Sequence, residues 1–286
     1  MSARPFPLYH RIVFCDVDGT LIDASRRLPL AWPSIRDGLS DDLLVLTSSR
    51  TVDELIGIQR MADIDGPFIA ENGAVLAFPF EFLESGRGTV RTVDGRLLRI
   101  IPIGTPASQL TSIVKGAAAA SGVIIETPHD ADVTDVPPVS PGYGRVTPLA
   151  LGRTHSLVLR ISGAAHNRLG FSSAIARAGL MMSSGGHWDV VQGESSKGAA
   201  VRAFLRFMQP RIVDGARLIG VGNAANDRSL LEAVDERYVM RASDGSVDPA
   251  LKQLAPVHIA NRPGVDGWED VMAHLQRSNT GGLARA

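Results

Sequence analysis

Six short apolar runs, each closing on polar or turn-forming residues, constrain the architecture more than any other feature of this chain. Three lie near its start, RIVFCD (11–16), LLVLTSS (43–49) and PFIAENG (67–73). Three lie near its end, RLIGVGN (217–223), YVMRAS (238–243) and PVHIAN (256–261). Strands that are apolar throughout, without alternation, suit a parallel sheet covered by helices on both faces. Between the second and third runs, TVDELIGIQRMADI reads as a helical crossover, with Ser49 or Thr51 placed to cap it. Runs at both ends of one chain predict a single sheet with an insertion. The expected fold class is therefore α/β, a doubly wound, parallel-sheet (Rossmann-like) core carrying an inserted α+β module. Residues 1–79 and 190–286 are assigned to the core and 80–189 to the insertion. The insertion is expected to hold strands at 89–93, 97–103, 155–161 and 188–192 and helices at 106–121 and 164–178.

A chain of 286 residues can bury a sizeable core in one large domain or two moderate ones. Its formal net charge of −1 gives no general attraction to nucleic acid or to an anionic membrane, so a small-molecule partner is expected. The single cysteine, Cys15, sits inside an apolar run and reads as a packed, reduced thiol. No stretch has the length and apolarity of a secretory core or a membrane span, which predicts a soluble, cytoplasmic protein, monomeric or homodimeric.

In an open parallel sheet, ligands gather beyond the carboxyl ends of the strands. Asp16 and Asp18 follow the first run, Thr47 and Ser48 the second, Asn72 the third, and Asn223 and Asp227 a later one. Lys197 opens a predicted helix. Carboxylates two residues apart on an extended backbone point to the same side, and their repulsion must be offset by a proton or a cation. Hydroxyls, a lysine and amide donors suit the oxygens of a phosphoryl group, while Asp16, Asp18, Asn223 and Asp227 offer the hard oxygen ligands that Mg²⁺ prefers.

These residues resemble the haloacid dehalogenase superfamily. DVDGT is similar to its nucleophile motif, Thr47 to its second motif, Lys197 to its third, and GNAAND (222–227) to a variant of its acidic fourth. The long insertion resembles the type-two cap of its Cof-like and sugar-phosphate phosphatases. TSSRTVDEL, PFIAENGAVL and PGVDGWEDVMAHL are most similar to the mannosyl-3-phosphoglycerate phosphatases. The resemblance implies a Mg²⁺-dependent phosphatase that works through an aspartyl phosphate on Asp16, with Asp18 as general acid and base. Asp16, Asp18, Asn223 and Asp227 would hold the metal, and Thr47, Ser48, Asn72 and Lys197 the phosphate. The substrate would be a glycosyl or sugar-acid phosphate such as mannosyl-3-phosphoglycerate.

Several residues keep two readings. Arg50 either contacts substrate or pairs with Asp53 or Glu54 along the helix; Asn72 is either a phosphate ligand or a turn residue before Gly73. In the insertion, Arg153, His155, Ser184, Gly185, Gly186 and His187 are the specificity candidates, together with Asn226 of the fourth motif. His187 also reads as a packed or surface side chain, and Gly185-Gly186 as a plain turn. Two rival functions stay open: a sugar phosphomutase, and a catalytically weakened sugar-phosphate binding protein, which Asn223 in place of the usual aspartate would favour.

Overall fold

The computed structural model describes residues 7–83, 87–127, 152–185 and 188–280. The N-terminal part contains β1 (Tyr9–Cys15), α1 (Trp32–Gly38), β2 (Leu43–Thr47), α2 (Val52–Ala62), β3 (Phe68–Ala70), β4 (Val75–Pro79), β5 (Thr89–Val93) and β6 (Arg96–Pro102). Next come α3 (Ala107–Ser121), β7 (Ile124–Glu126), β8 (Ser156–Ser162), α4 (Ala165–Arg177), β9 (Met181–Gly185) and β10 (Trp188–Gln192). The chain then returns through α5 (Lys197–Met208), β11 (Ile212–Gly222), α6 (Arg228–Glu232), β12 (Glu236–Arg241), α7 (Pro249–Lys252), β13 (His258–Pro263) and α8 (Trp268–Thr280).

The larger sheet has nine strands in the order β13-β12-β11-β1-β2-β3-β4-β6-β5. Its first six are parallel, and β1 lies between β11 and β2. Both ends of the chain therefore build one sheet, as the apolar runs require. Alternate residues of β1 supply opposite faces. Ile12 and Phe14 pack with Val201 and Phe204 of α5, while Val13 and Cys15 pack with Leu55 and Ile56 of α2 and Trp268 of α8. Phe204 meets Phe14 edge-on and stacks on Phe78, at centroid separations of 5.5 and 5.3 Å.

Local signals set the helix ends. Thr51 and Glu54 form a reciprocal capping box at the start of α2, and Asp63 ends that helix in the left-handed conformation. The Ser196 side chain accepts from Ala199 N at the start of α5. These caps point both helix N-termini at the carboxyl ends of β1, β2 and β3.

The hairpin β5–β6 differs from the expected grouping. It joins the large sheet, with β6 antiparallel to β4, and does not contribute to the insertion's own sheet. The chain reverses after β3, and β4 (antiparallel to β3) offers a free edge that the hairpin takes up. The smaller sheet has the order β7-β8-β10-β9, and α3 and α4 cover one face through Leu110, Val114, Phe171 and Ile175. Its β9 occupies MMSSG, a strand that was not among those expected from the sequence. No described helix is long and apolar enough to cross a membrane.

Candidate active site

Asp16 follows directly on β1, and its N–H still bonds the Val221 carbonyl of β11 at 2.9 Å, which carries strand geometry through the residue. Lys197, the first residue of α5, is buried and donates to Asp16 Oδ1 and to Asp227 Oδ1, each at 2.6 Å. Burial, then the Asp227 carboxylate, push the Asp16 pKa above the usual carboxylate range, against the opposing pull of Lys197. Burial also works against the Lys197 ammonium, yet Asp16 and Asp227 outweigh it and hold its pKa above the ordinary value. The second oxygen of Asp227 accepts from the N–H groups of Asn223 (2.9 Å) and Ala224 (3.1 Å). Asp227 thus orients the lysine and folds the loop beyond β11.

Asp18 is half-exposed and is gripped by Arg50, whose Nε and Nη2 donate to its two oxygens at 2.9 and 2.6 Å. Arg50 also donates to Glu54 Oε1 at 3.1 Å, the helix pairing that was one of its two sequence readings. Thr47 is buried and donates to the Val45 carbonyl at 3.3 Å; Ser48 is buried, and its hydroxyl accepts from Arg50 N at 3.2 Å. Their neighbour Ser49 lines the cleft. Asn72 also lines it, is buried, and its Oδ1 meets no hydrogen-bond donor.

Asn223 Oδ1 accepts from the Thr20 hydroxyl at 3.2 Å, and the Thr20 carbonyl accepts from Trp268 Nε1 of α8 at 3.0 Å. The approach is close: a Cβ at Gly19, where φ is +77°, would stand 2.3 Å from Asn223 Nδ2. Among the described residues no three His, Cys, Asp or Glu side chains converge as a metal cage. The donor set at the cleft nevertheless fits Mg²⁺, which takes few protein oxygens and completes its shell with water and phosphate. Asp16 supplies its second oxygen, Oδ2, and Asn223 an amide oxygen that also accepts from Thr20, whereas both carboxylate oxygens of Asp18 and of Asp227 already accept hydrogen bonds.

No protein-family model matches the chain. It is 26% identical over 270 residues to a glucosyl-3-phosphoglycerate/mannosyl-3-phosphoglycerate phosphatase of Methanococcoides burtonii, a match that spans 94% of this chain and 98% of that protein. It is 24% identical over 238 residues to a mannosyl-3-phosphoglycerate phosphatase of Pyrococcus furiosus, across 80% of this chain and 90% of the relative. A haloacid dehalogenase-like hydrolase from B. subtilis superposes with a TM-score of 0.62 at 18% identity, covering 93% of this chain and 99% of the other. The fold is that of the haloacid dehalogenase-like hydrolases. A structure from Thermoplasma acidophilum aligns likewise, with a TM-score of 0.65 at 14% identity over 93% and 98% of the two chains. In sequence, the chain resembles the mannosyl-3-phosphoglycerate phosphatases along nearly its whole length.

In this haloacid dehalogenase-like fold residues of the smaller sheet form one wall of the cleft. The cleft has a volume of about 660 Å³, with Asp16, Asp18, Lys197, Asn223 and Asn226 on one side and Met181, Met182, Ser183, Val190 and Gln192 on the other. Of the specificity candidates, Arg153 is placed between cap and core. It donates to the Ser49 carbonyl at 3.1 Å and to the Ser156 hydroxyl at 2.9 Å. The His155 N–H bonds Glu71. Ser184 and Gly185 fall in β9, and Gly186 and His187 lie outside the described residues. Sequence reasoning missed Gln192, Met181 and Met182, which lie in the short strands β10 and β9, and Asp248, which is near the cleft only through the fold. It also missed Glu71, whose charge beside Asn72 in PFIAENG was the available signal.

Proposed function

We propose that this chain is a soluble, cytoplasmic, Mg²⁺-dependent phosphomonoester hydrolase acting on a glycosyl or sugar-acid phosphate such as mannosyl-3-phosphoglycerate. The supporting observation is the buried Lys197 bridging Asp16 and Asp227, with Asp18 two residues from Asp16 at the mouth of the same cleft. The names of the sequence relatives supply the substrate class.

In this reading an Asp16 carboxylate oxygen attacks phosphorus, and the bond from phosphorus to the substrate's ester oxygen breaks. Asp18, released from Arg50 at one oxygen and protonated there, gives that proton to the departing alkoxide, then takes one from the water that attacks the aspartyl phosphate, which releases phosphate and restores Asp16. Arg50 holds Asp18 toward the cleft, and Lys197 neutralises charge on Asp16 and on phosphoryl oxygens. Bound Mg²⁺, held by Asp16, the Asp18 main-chain carbonyl and Asn223, with Asp227 behind them, would add Lewis-acid stabilisation of the phosphoryl oxygens. The strands β7–β10 and helices α3 and α4 would act as the substrate-specificity cap.

Release of inorganic phosphate from a panel of phosphorylated sugars, sugar acids and p-nitrophenyl phosphate, with and without Mg²⁺, tests the reading. Absence of turnover alongside tight sugar-phosphate binding would instead favour the binding-protein alternative, to which Asn223 lends support. Transfer to a second hydroxyl in place of water would identify a mutase.

A further inference from the structure

The loop after β3 passes through three consecutive residues of positive φ: Glu71 (49°), Asn72 (57°) and Gly73 (95°). Side-chain-bearing residues persist in this region only where their surroundings over-determine it. Here three neighbours do so. Glu71 N donates to the Arg50 carbonyl and Asn72 N to the Ser48 carbonyl, both at 2.8 Å. Gly73 is pressed against the start of α5, where an added Cβ would stand 2.3 Å from the Ser196 carbonyl oxygen and 2.9 Å from Lys197 N. The third neighbour is the cap. Glu71 Oε1 accepts from Thr154 N (2.8 Å) and Thr154 Oγ1 (3.0 Å), and Oε2 from His155 N (2.9 Å) and Ser156 Oγ (2.6 Å).

We propose that Glu71 is a positioning residue: its carboxylate docks the cap segment Thr154–Ser156 onto the cleft loop, and this docking holds the adjacent Asn72 side chain at the phosphoryl site. The proposal rests on the phosphatase reading of that cleft. Glu71 is buried, and all four of its donors come from the cap, with the Arg153 guanidinium adding longer-range attraction. Pulling Thr154–Ser156 away would leave a buried carboxylate without donors, a state that relaxes only if Glu71 turns out to water. That turn reorganises the left-handed backbone next to it and carries Asn72 with it. Glutamate is required because a glutamine amide would set an NH₂ group against N–H and O–H donors.

The test removes two donors from the cap side, leaving the cleft wall intact, in the double variant Thr154→Val/Ser156→Ala. Hydrogen exchange of amides 71–74 and kcat and KM for p-nitrophenyl phosphate are then measured. Two lost hydrogen bonds predict exchange faster by roughly tenfold at Asn72–Ala74 and a comparable fall in kcat/KM. That fall should vanish when Asn72→Ala is already present, because both changes act through one side chain. Unchanged exchange, or a loss adding in full to that of Asn72→Ala, overturns the proposal. Exchange is read on the protein alone, so failure of the parent to hydrolyse any phosphate ester removes the phosphatase reading and leaves the docking test standing.

Discussion

The surroundings of Asp16 disfavour its ionised form, since burial and Asp227 both raise its pKa. A carboxyl whose folded-state pKa is raised contributes stability at low pH that is lost as pH rises through that pKa. Asp16→Asn should therefore abolish turnover yet melt at a higher temperature than the parent at neutral pH, with the two curves converging in acid. Thermal melts across pH decide it; equal melting at all pH values would refute the assignment of strain to Asp16. Because the ionised form is the nucleophile, kcat/KM should fall on the acid side at a pH above the ordinary carboxylate value of about 4. Asp18→Asn should cost on the order of 10² to 10⁴ in turnover if it serves as acid and base. At Asn223, replacement by aspartate adds a full charge beside Asp16 and should tighten Mg²⁺ binding, measurable by calorimetry without substrate. The carboxylates were legible because they follow strand ends, and Lys197 because it opens a helix. For Glu71 the charge beside Asn72 was visible but its partners were not, since its donors come from residues 154–156, far along the sequence.

Among the elements, α2 shows how a local signal reaches the cleft. Its capping box fixes Glu54, whose other oxygen accepts from Arg50, which in turn grips Asp18. Thr51→Ala should lower stability by about 1 kcal/mol in denaturant unfolding, the usual cost of a lost cap. It should also reduce turnover, because Glu54 Oε2 loses the hydroxyl, one of its two donors at residue 51, and keeps only the main-chain N–H; unaltered kinetics would show that Arg50 holds its place without the box. That helix was readable from TVDE and its apolar spacing. The strand character of β5 and β6 was readable too, but their partner was not, because pairing depends on the edge left open by β4 after the chain reverses. Strand β9 was obscured by SSGG, which scores as a turn until β10 supplies an antiparallel neighbour.

For the whole molecule, the cleft is lined from two sides, by the ends of the parallel strands and by the smaller sheet. Arg153, joined to Ser49 and Ser156, should matter most to substrates that reach the cap. Arg153→Ala is expected to lower kcat/KM for the best sugar phosphate more than for p-nitrophenyl phosphate, and equal losses would indicate a defect of the core loop. The order of strands has a different kind of consequence, one of timing. Since β1 sits between β2 and β11, its inner edge stays unpaired during synthesis until the ribosome has delivered Ile212–Gly222. At about 5–20 residues per second this leaves a central strand, buried from Arg11 to Cys15, waiting for roughly 10–40 s. Nascent chains arrested before β11 should thus be cut readily by protease and captured by chaperones, whereas chains arrested beyond α8 should resist both.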